Sequence, residues 1–512
     1  MRRFAVSLIV CLGCAPGAVR AQSLQLDVVG GSMPGALDLD TYPGLYPFEL
    51  VMIVPSTLPG PTPINLFDPL DPRSLDIGLD LLGFAWVGFT GVDLHMRVST
   101  SLAAAPALQD QALYFQSVTF LWLPTLLHRL SNANAIRLGT ANTFRDRAVG
   151  FLDDRAFASV LPRADRRWMV VGGGRGQLLA QVAHATSEIY DPITDGFSPG
   201  PMMTTRRSLH TATELQDGRW LIVGGVNYNN DPQPSCEIYD PVLDTFTATG
   251  TMATPRMGHT ATLLADGRVF VTGGLAALTV TPTQLSAVHD ATNTTEIYDP
   301  AAGTWSPGPN LLTPRAGHVA ITRPNGKILL AGGISWDTVI IVGWLPAVRR
   351  SCDLYDPVAN TMVAGPQMVT ARSMIDPLAL GNDRWLLAGG ISSLTLTNLG
   401  TPTAAAEIYD AVANTWTAVG PMATPRGNHK GWALGNGQFL LAGGANGNIL
   451  SPVPLSSTEV FSLSTNTFGA GPPMNIERAG AAMFLTPQGQ VQLFGGATAG
   501  GMISQTTEWY YR

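Results

Sequence analysis

The sequence predicts an all-β protein, a seven-bladed β-propeller over residues 141–512 that is preceded by a small β-sandwich domain over residues 22–140. Two observations predict the propeller. A segment typical of two short strands and a tight turn occurs seven times, with 17 residues from its opening arginine to the first residue of a Gly-Gly pair. Gly (55 residues) and Pro (38 residues) are also frequent. A repeat rich in Gly and Pro favours many short strands over long helices.

The first 21 residues are typical of a secretory signal peptide. Arg2 and Arg3 precede an apolar run, and small residues at 19–21 predict a cleavage site. A lipoprotein signal cleaved before Cys14 is the alternative. In either case we expect an exported protein, secreted or periplasmic. No later run is long and apolar enough to predict a membrane span.

Composition argues against two classes of partner. The chain contains only two lysines, Lys327 and Lys430, carries a net charge of −7 and has no basic run. Nucleic acids and anionic membrane surfaces attract basic patches, so we expect neither as a partner.

Two cysteines lie beyond the signal peptide, Cys236 and Cys352. They occupy nearly equivalent places in the second and fourth repeats, which cannot be neighbours in a ring. A disulfide needs Cα atoms within about 7 Å. The sequence therefore predicts two free thiols that are buried as small apolar groups.

Residues 22–140 show none of the repeat. They contain apolar or alternating runs that are separated by Pro- and Gly-rich turns. This pattern is typical of antiparallel strands and predicts a small β-sandwich.

Each repeat continues past the Gly-Gly pair into two further strands. The third strand reads Glu-Ile-Tyr-Asp-Pro in several copies, and a bulky residue 7 positions after its aromatic marks the fourth. The turn between the first two strands is Asp217-Gly218 in the second repeat, which favours a two-residue hairpin with positive φ at both central residues. Four antiparallel strands repeated seven times predict propeller blades.

The last copy ends in its third strand, so the ring needs a fourth strand from elsewhere. Residues 142–148 have the right character, and we expect them to pair with residues 506–511. Phe144 lies 11 residues before Arg155, whereas the corresponding interval is 10 in the other repeats.

The repeated residues resemble the kelch motif. Pro-Arg-x-Gly-His, Gly-Gly, Glu-x-Tyr-Asp-Pro and Thr-Trp recur in this order. The resemblance implies a kelch β-propeller, a fold that also occurs in the galactose-oxidase-like group.

Every opening arginine has an acidic counterpart two residues before the third-strand aromatic position. The acids are Glu188, Glu237, Glu296, Asp353, Glu407, Glu459 and Glu508. A catalytic group is needed once, whereas these residues occur in every repeat. We therefore expect seven structural ion pairs that bridge the gap left by the Gly-Gly pair.

Four histidines follow their opening arginine by three residues: His210, His259, His318 and His429. A partial ring of imidazoles near an axis suggests a metal site. Because histidine at this place belongs to the repeat itself, a structural role is favoured, and we expect no metal and no cofactor.

Variation in length is confined to the interval between the Gly-Gly pair and the third-strand aromatic. Counted from the first Gly, it is 18, 15, 25, 23, 20, 18 and 15 residues in the seven repeats. These loops emerge on one face of a propeller, and variable loops on a rigid scaffold commonly bind ligands. Candidate binding residues on them are Trp336, Trp344, Arg349, Arg350, Tyr228, Asn230, Asp231, Arg175 and His289. The alternative for the fourth-repeat loop is an extended hairpin packed on a neighbouring blade or on the N-terminal domain.

These features favour a non-catalytic module that binds an extracellular or periplasmic glycan or protein through this loop face. One alternative is a sugar isomerase that resembles the kelch-type sialic-acid mutarotases. Another is a copper-radical oxidase that resembles galactose oxidase. The oxidase family needs a Tyr–Cys cross-link and His ligands at the axis, whereas both mature cysteines here lie in third strands.

Overall fold

The computed structural model describes residues 25–511 except 31, 34, 43–49, 64–73, 78–80, 82–84, 90–94, 103–110, 121–126, 131–133, 138, 148–149, 178–179, 193, 278–279, 282–283, 286–289, 340–342, 396–399, 449–450 and 486–489. The predicted signal peptide lies outside the described residues. The chain divides into two compact units, one comprising residues 1–29, 36–101 and 111–137, the other residues 30–35, 102–110 and 138–512. We find no helix in the described part with the length and apolar character that a membrane crossing requires.

The first unit is built from β-strands. A three-stranded sheet contains Gln25–Gly30, Gly35–Tyr42 and Met96–Leu102. A five-stranded sheet contains Leu50–Ser56, Trp86–Phe89, Ala112–Phe120, Leu127–Leu130 and Asn134–Arg137, and Pro59–Pro63 pairs with Ser74–Ile77. Val51, Ile53 and Phe115 on the five-stranded sheet are fully buried. The packing of these sheets as a sandwich stays a prediction.

The described residues of the second unit form seven four-stranded antiparallel sheets, with the strands in the order first, second, third, fourth. The first strands are Ser159–Pro162, Thr211–Glu214, Thr260–Leu263, Val319–Thr322, Leu378–Gly381, Lys430–Gly435 and Ala482–Leu485. The second strands are Trp168–Val171, Trp220–Val223, Val269–Thr272, Ile328–Ala331, Arg384–Ala388, Gln438–Ala442 and Val491–Phe494. The third strands are Ser187–Asp191, Cys236–Asp240, Thr295–Asp299, Cys352–Asp356, Ala406–Asp410, Thr458–Ser462 and Thr507–Tyr511. The fourth strands are Gly196–Pro199, Thr245–Ala248, Thr304–Pro307, Thr361–Ala364, Thr415–Val419, Thr467–Ala470 and Thr143–Arg147.

Shorter strands extend the intervals between second and third strands in five repeats. These added hairpins are Gly174–Gln177 with Ala180–Ala183, Val280–Thr281 with Gln284–Leu285, Ile334–Val339 with Gly343–Val348, Ile391–Ser393 with Thr401–Pro402, and Ala445–Asn448 with Ser451–Pro454. The seventh repeat has a short 3₁₀ turn, Ala499–Gly501, and Ser32–Met33 pairs in parallel with Gly139–Thr140. The intervals that vary in length in the sequence therefore form added hairpins or turns at the Gly-Gly end of the sheets.

The predicted closure of the last sheet is confirmed. Thr143–Arg147 pairs antiparallel with Thr507–Tyr511, and Phe144 lies opposite Tyr510 with 5.0 Å between their ring centroids. Phe151 is buried four residues before Arg155, where the second repeat has the buried Met203. The additional residue in this interval therefore lies between Phe144 and Phe151.

A chain of backbone hydrogen bonds links the repeats around the axis. The residue two positions after each opening arginine has φ between 53° and 63°; these residues are Phe157, Leu209, Gly258, Gly317, Met374, Asn428 and Gly480. In six of the seven repeats, the amide of this residue donates to the carbonyl oxygen of its counterpart in the preceding repeat. The bond from Phe157 N–H to Gly480 O, 3.1 Å, connects the first repeat to the last.

The hydrophobic core consists of clusters between adjacent sheets. Between the first and second sheets, Met169 and Val171 pack with Ile222, Tyr239 and other apolar residues. The second strands carry apolar side chains on both faces because each sheet is covered on both sides.

The predicted conformation of the turn between the first and second strands of the second repeat, with positive φ at both central residues, is wrong. Gly218 has φ 83°, but Asp217 does not adopt positive φ. Instead Gly218 N–H donates to Leu215 O at 3.0 Å, and the Asp217 carboxylate accepts the Arg219 N–H at 3.0 Å. The carboxylate stabilises a turn with a single left-handed glycine, which is the pattern of a longer hairpin loop.

The predicted ion pairs are confirmed in all seven repeats, with N–O distances from 2.6 to 3.1 Å. In the third repeat, Arg256 donates to Glu296 at 2.9 Å and to the Gly273 carbonyl oxygen at 2.7 Å. Glu296 also accepts the amides of Ala253 and Thr254. Each pair therefore joins the connection between blades to the second and third strands of its own blade.

Both described cysteines are free and buried, as predicted. Burial raises the pKa of the Cys236 and Cys352 thiols to about 12. Such thiols are protonated and poor nucleophiles near neutral pH.

Candidate functional site

An open recess of about 230 Å³ lies where the first strands converge, at the Gly-Gly end of the sheets. Its lining comes from positions two to four after the opening arginine in six of the seven repeats: Phe157, Ala158, Gly258, His259, Gly317, His318, Met374, Ile375, Asp376, Asn428, His429, Lys430, Gly480 and Ala481. We call this feature the axial recess. It lies at the same end of the sheets as the added hairpins.

One side of the axial recess carries an ion pair between neighbouring repeats. Lys430 Nζ lies 2.7 Å from Asp376 Oδ2, and the two side chains are 31% and 65% exposed, respectively. Each residue stands four positions after its opening arginine. The Lys430 ammonium holds the pKa of Asp376 below its ordinary value, so this carboxylate is ionised at neutral pH.

Three buried imidazoles also line the axial recess. His259 Nε2 is 2.9 Å from Thr211 Oγ1, and His318 Nε2 is 2.8 Å from Thr272 Oγ1. Burial lowers the pKa of His259 and His429 to about 3 and that of His318 well below its usual value. These imidazoles are therefore neutral at pH 7, and the charge in the axial recess comes from Asp376 and Lys430.

Part of the lining of the axial recess is apolar. Phe157, Ala158, Met374, Ile375 and Ala481 contribute to its lining. A recess lined by both charged and apolar side chains can bind a small ligand that carries hydroxyl groups and also has a C–H face.

The sequence matches the family model of the Kelch motif over residues 256–312. This segment is the third repeat. The 17-residue interval from its arginine to its Gly-Gly pair and the ion pair between its arginine and an acid recur in the other six. The chain contains kelch repeats. No curated protein matches the sequence.

Two solved structures resemble the kelch propeller. A fungal alcohol oxidase of the AA5 family, solved in complex with copper, is 16% identical with a TM-score of 0.54, covering 72% of this chain and 76% of its own. YjhT is 16% identical with a TM-score of 0.44, covering 60% of this chain and 95% of its own. At this identity, the likeness to the oxidase supports the fold alone.

The described kelch repeats do not provide a fitting copper site. Among the residues that the structure describes, no three or more His, Cys, Asp or Glu side chains are grouped so that they could hold a metal ion. Both described cysteines are buried at the starts of third strands, Cys236–Asp240 and Cys352–Asp356. These positions do not fit the Tyr–Cys cross-link at the axis that the oxidase alternative requires.

The predicted candidates on the fourth-repeat loop lie on its added hairpin. Trp336 is partly buried, and Arg349 donates to the Trp336 carbonyl oxygen at 2.8 Å and to Asp337 at 2.7 Å. Arg350 is exposed. The strand Gly343–Val348 contacts Ile391–Ser393 of the next repeat, which agrees with a hairpin packed on a neighbouring blade. The Trp344 side chain lies outside the described part.

The remaining candidates lie on other loops at the Gly-Gly end. Tyr228 is 60% exposed, and the Arg206 guanidinium lies 5.8 Å from its ring centroid. Arg175 and Asp231 are exposed, Asn230 has φ 66°, and His289 lies outside the described residues. None of the described candidates lines the axial recess, and their part in binding stays a prediction.

Sequence reasoning missed Asp376, Lys430 and Phe157 as candidates. Asp376 and Lys430 occupy a position where the other repeats carry Ser159, Thr211, Thr260, Val319 and Ala482. This departure of two neighbouring repeats toward opposite charges is the signal that could have identified the pair.

Proposed function

We propose that this kelch propeller is an exported carbohydrate-binding protein whose axial recess holds one sugar residue of a glycan. The observation that carries this proposal is the Asp376–Lys430 pair, which lines a small recess together with apolar side chains. The predicted signal peptide supports export, and the added hairpins around the recess support binding at this end.

The chemistry of the recess suits a hydroxylated ring. Asp376 Oδ2 accepts a hydrogen bond from the Lys430 ammonium, and the carboxylate can accept further hydrogen bonds from sugar hydroxyls. The ammonium has additional N–H groups that can donate to sugar oxygens. Phe157 and Met374 can contact the C–H face of the ring. The volume of about 230 Å³ is below the range of about 300–1,000 Å³ that is usual for drug-sized ligands, so it suits a single sugar residue.

Longer glycans would extend over the surrounding loops. Tyr228, Arg175 and the fourth-repeat hairpin with Trp336 would then contact further sugar residues. Aromatic and arginine side chains contribute strongly to binding surfaces, which supports this part of the proposal. A protein is the alternative ligand for this loop face.

The sugar-isomerase alternative has weaker support at this site. A general base works best when its pKa lies near the operating pH. The Lys430 ammonium lowers the pKa of Asp376, which makes its carboxylate a weaker base. Binding through hydrogen bonds does not have this requirement. Anomer-exchange NMR with reducing sugars tests the isomerase alternative.

A glycan array tests the proposed function. The wild-type protein should bind a defined set of glycans, and Asp376→Asn should weaken that binding about tenfold or more because it removes a charged acceptor. Asp217→Asn is the matched control, since Asp217 lies in a turn at the other end of the first strand. Absence of binding to any glycan, or equal binding by wild type and Asp376→Asn, would contradict the proposal.

A further inference from the structure

The ring of left-handed residues at the axis contains side chains that this backbone conformation disfavours. Phe157, Leu209 and Met374 have φ of 55°, 56° and 58°, respectively. A bulky residue other than Gly, Asn or Asp rarely adopts this region, because its Cβ crowds the backbone. Three other repeats carry glycine at the same position, which avoids this strain.

The fold itself does not require a side chain here. Gly258, Gly317 and Gly480 adopt the same conformation, and their backbone groups take part in the same chain of hydrogen bonds. The kelch pattern also has glycine at this place, as in Arg256-Met257-Gly258-His259. Phe157 and Met374 are therefore departures from the pattern that cost stability locally.

These two side chains lie over glycines of neighbouring repeats. A Cβ on Gly480 would collide with the Phe157 ring, and a Cβ on Gly317 would lie 3.4 Å from Met374 Cγ. Both Phe157 and Met374 line the axial recess, whereas Leu209 does not. Glycine in one repeat thus provides the space that the side chain of the next repeat occupies beside the recess.

We propose that Phe157 and Met374 are specificity-determining residues, retained against their backbone preference because they hold the C–H face of a rigid sugar ring. Strained backbone that the surrounding structure enforces is often found at ligand sites. The inference rests on the proposed function, and it adds that the axial recess selects a closed pyranose over an open-chain polyol with the same hydroxyl groups.

The experiment measures unfolding and binding separately. Phe157, Met374 and Leu209 are each replaced by Ala and by Gly in the full chain. Ala keeps the Cβ that causes the strain, and Gly removes it. Calorimetric binding uses methyl pyranosides of glucose, galactose, mannose and N-acetylglucosamine, and the alditol that corresponds to the best of them.

At all three positions we expect the Gly variant to have a higher Tm than the Ala variant, the reverse of the usual order in strands. Phe157→Ala and Met374→Ala should bind the best pyranoside about tenfold more weakly, because the side chain that contacts the ring is lost. Leu209→Ala should bind it as the wild type does. The alditol should bind more weakly than the pyranoside.

Unchanged affinity in the Phe157 and Met374 variants would overturn the inference while leaving the proposed function intact, provided that the wild type binds a pyranoside. Higher Tm for Ala than for Gly would show that these positions are not strained and would also overturn it. If the wild type binds none of the pyranosides, the proposed function fails as well, and the order of the Tm values still reports on the strain.

Discussion

Arg256 and Glu296 form an ion pair of 2.9 Å in which the arginine side chain is inaccessible to solvent. The same relationship recurs in each of the seven repeats. A buried charge that loses its partner is costly, because neither water nor another charge compensates it. The pairs therefore hold each blade to the connection that precedes it, and they are structural elements of the propeller.

Replacing Arg256 by Met should destabilise the protein by about 3–5 kcal/mol, since Glu296 is left buried without its partner. Denaturant unfolding followed by tryptophan fluorescence measures this change. The matched control is Arg219→Met, whose pair with Asp217 is 36% and 49% exposed. Exposed pairs contribute about 0–1 kcal/mol. Equal, small effects of the two substitutions would contradict a structural role for the buried pair.

Phe144→Ala should destabilise the closed ring by about 3–5 kcal/mol, the usual cost of truncating a buried aromatic residue. Phe144 is 5% exposed and packs against Trp432 and Tyr510, so its loss weakens the sheet that joins the two ends of the propeller. Thermal unfolding measures the effect. Leu152→Ala serves as the control because Leu152 is 53% exposed. If Phe144→Ala unfolds at the wild-type temperature, the pairing of Thr143–Arg147 does not support the ring.

Stability should fall as the pH decreases below about 6.5 because the buried histidines resist protonation. Burial lowers the pKa of His210 to about 3 in the folded state, whereas the unfolded chain titrates near the ordinary value of 6.5. Between pH 6.5 and pH 3 the folded state thus binds fewer protons than the unfolded chain. The contribution of the neutral imidazole to stability is therefore fully present above pH 6.5 and decreases as the pH falls towards 3. Each such histidine contributes up to about 1.4 kcal/mol per pH unit in this window.

His210→Ala should reduce this slope, since alanine occupies the equivalent position at Ala158 and Ala481. His210 is a suitable choice because neither ring nitrogen has a hydrogen-bond partner among the residues that the structure describes, so the substitution removes no such bond. Denaturant midpoints at pH 7 and pH 5 for wild type and variant give the comparison. An identical pH dependence in the two proteins would refute the assignment of His210 as a buried neutral imidazole.

Much of the framework follows from the sequence because it depends on residues that recur. The interval from Arg256 to Gly273 and the acid at Glu296 are repeated, so the ion pairs and the sheet order could be predicted. The incomplete last repeat likewise predicted the pairing of Phe144 with the C-terminal strand. Recurrence makes such features recognisable without knowledge of their distances.

The candidate site could not be predicted in the same way, because it depends on departures from the repeat. Phe157 and Asp376 are far apart in sequence, and only the convergence of the first strands brings them to one recess. Prediction favoured the long loops, where Trp336 and Tyr228 are prominent residue types. Arg349 shows the difficulty, because it forms an ion pair with Asp337 of the same hairpin.

The central claim, that the axial recess binds a sugar, is tested most directly by methyl NMR of the methionines during titration with the best-binding methyl pyranoside. The account predicts that the Met374 methyl signal shifts with saturation, that the signal of the 70% exposed Met502 does not, and that Asp376→Asn reduces the effect. Saturable shifts at Met502 or other methionines, with Met374 unchanged, would contradict it.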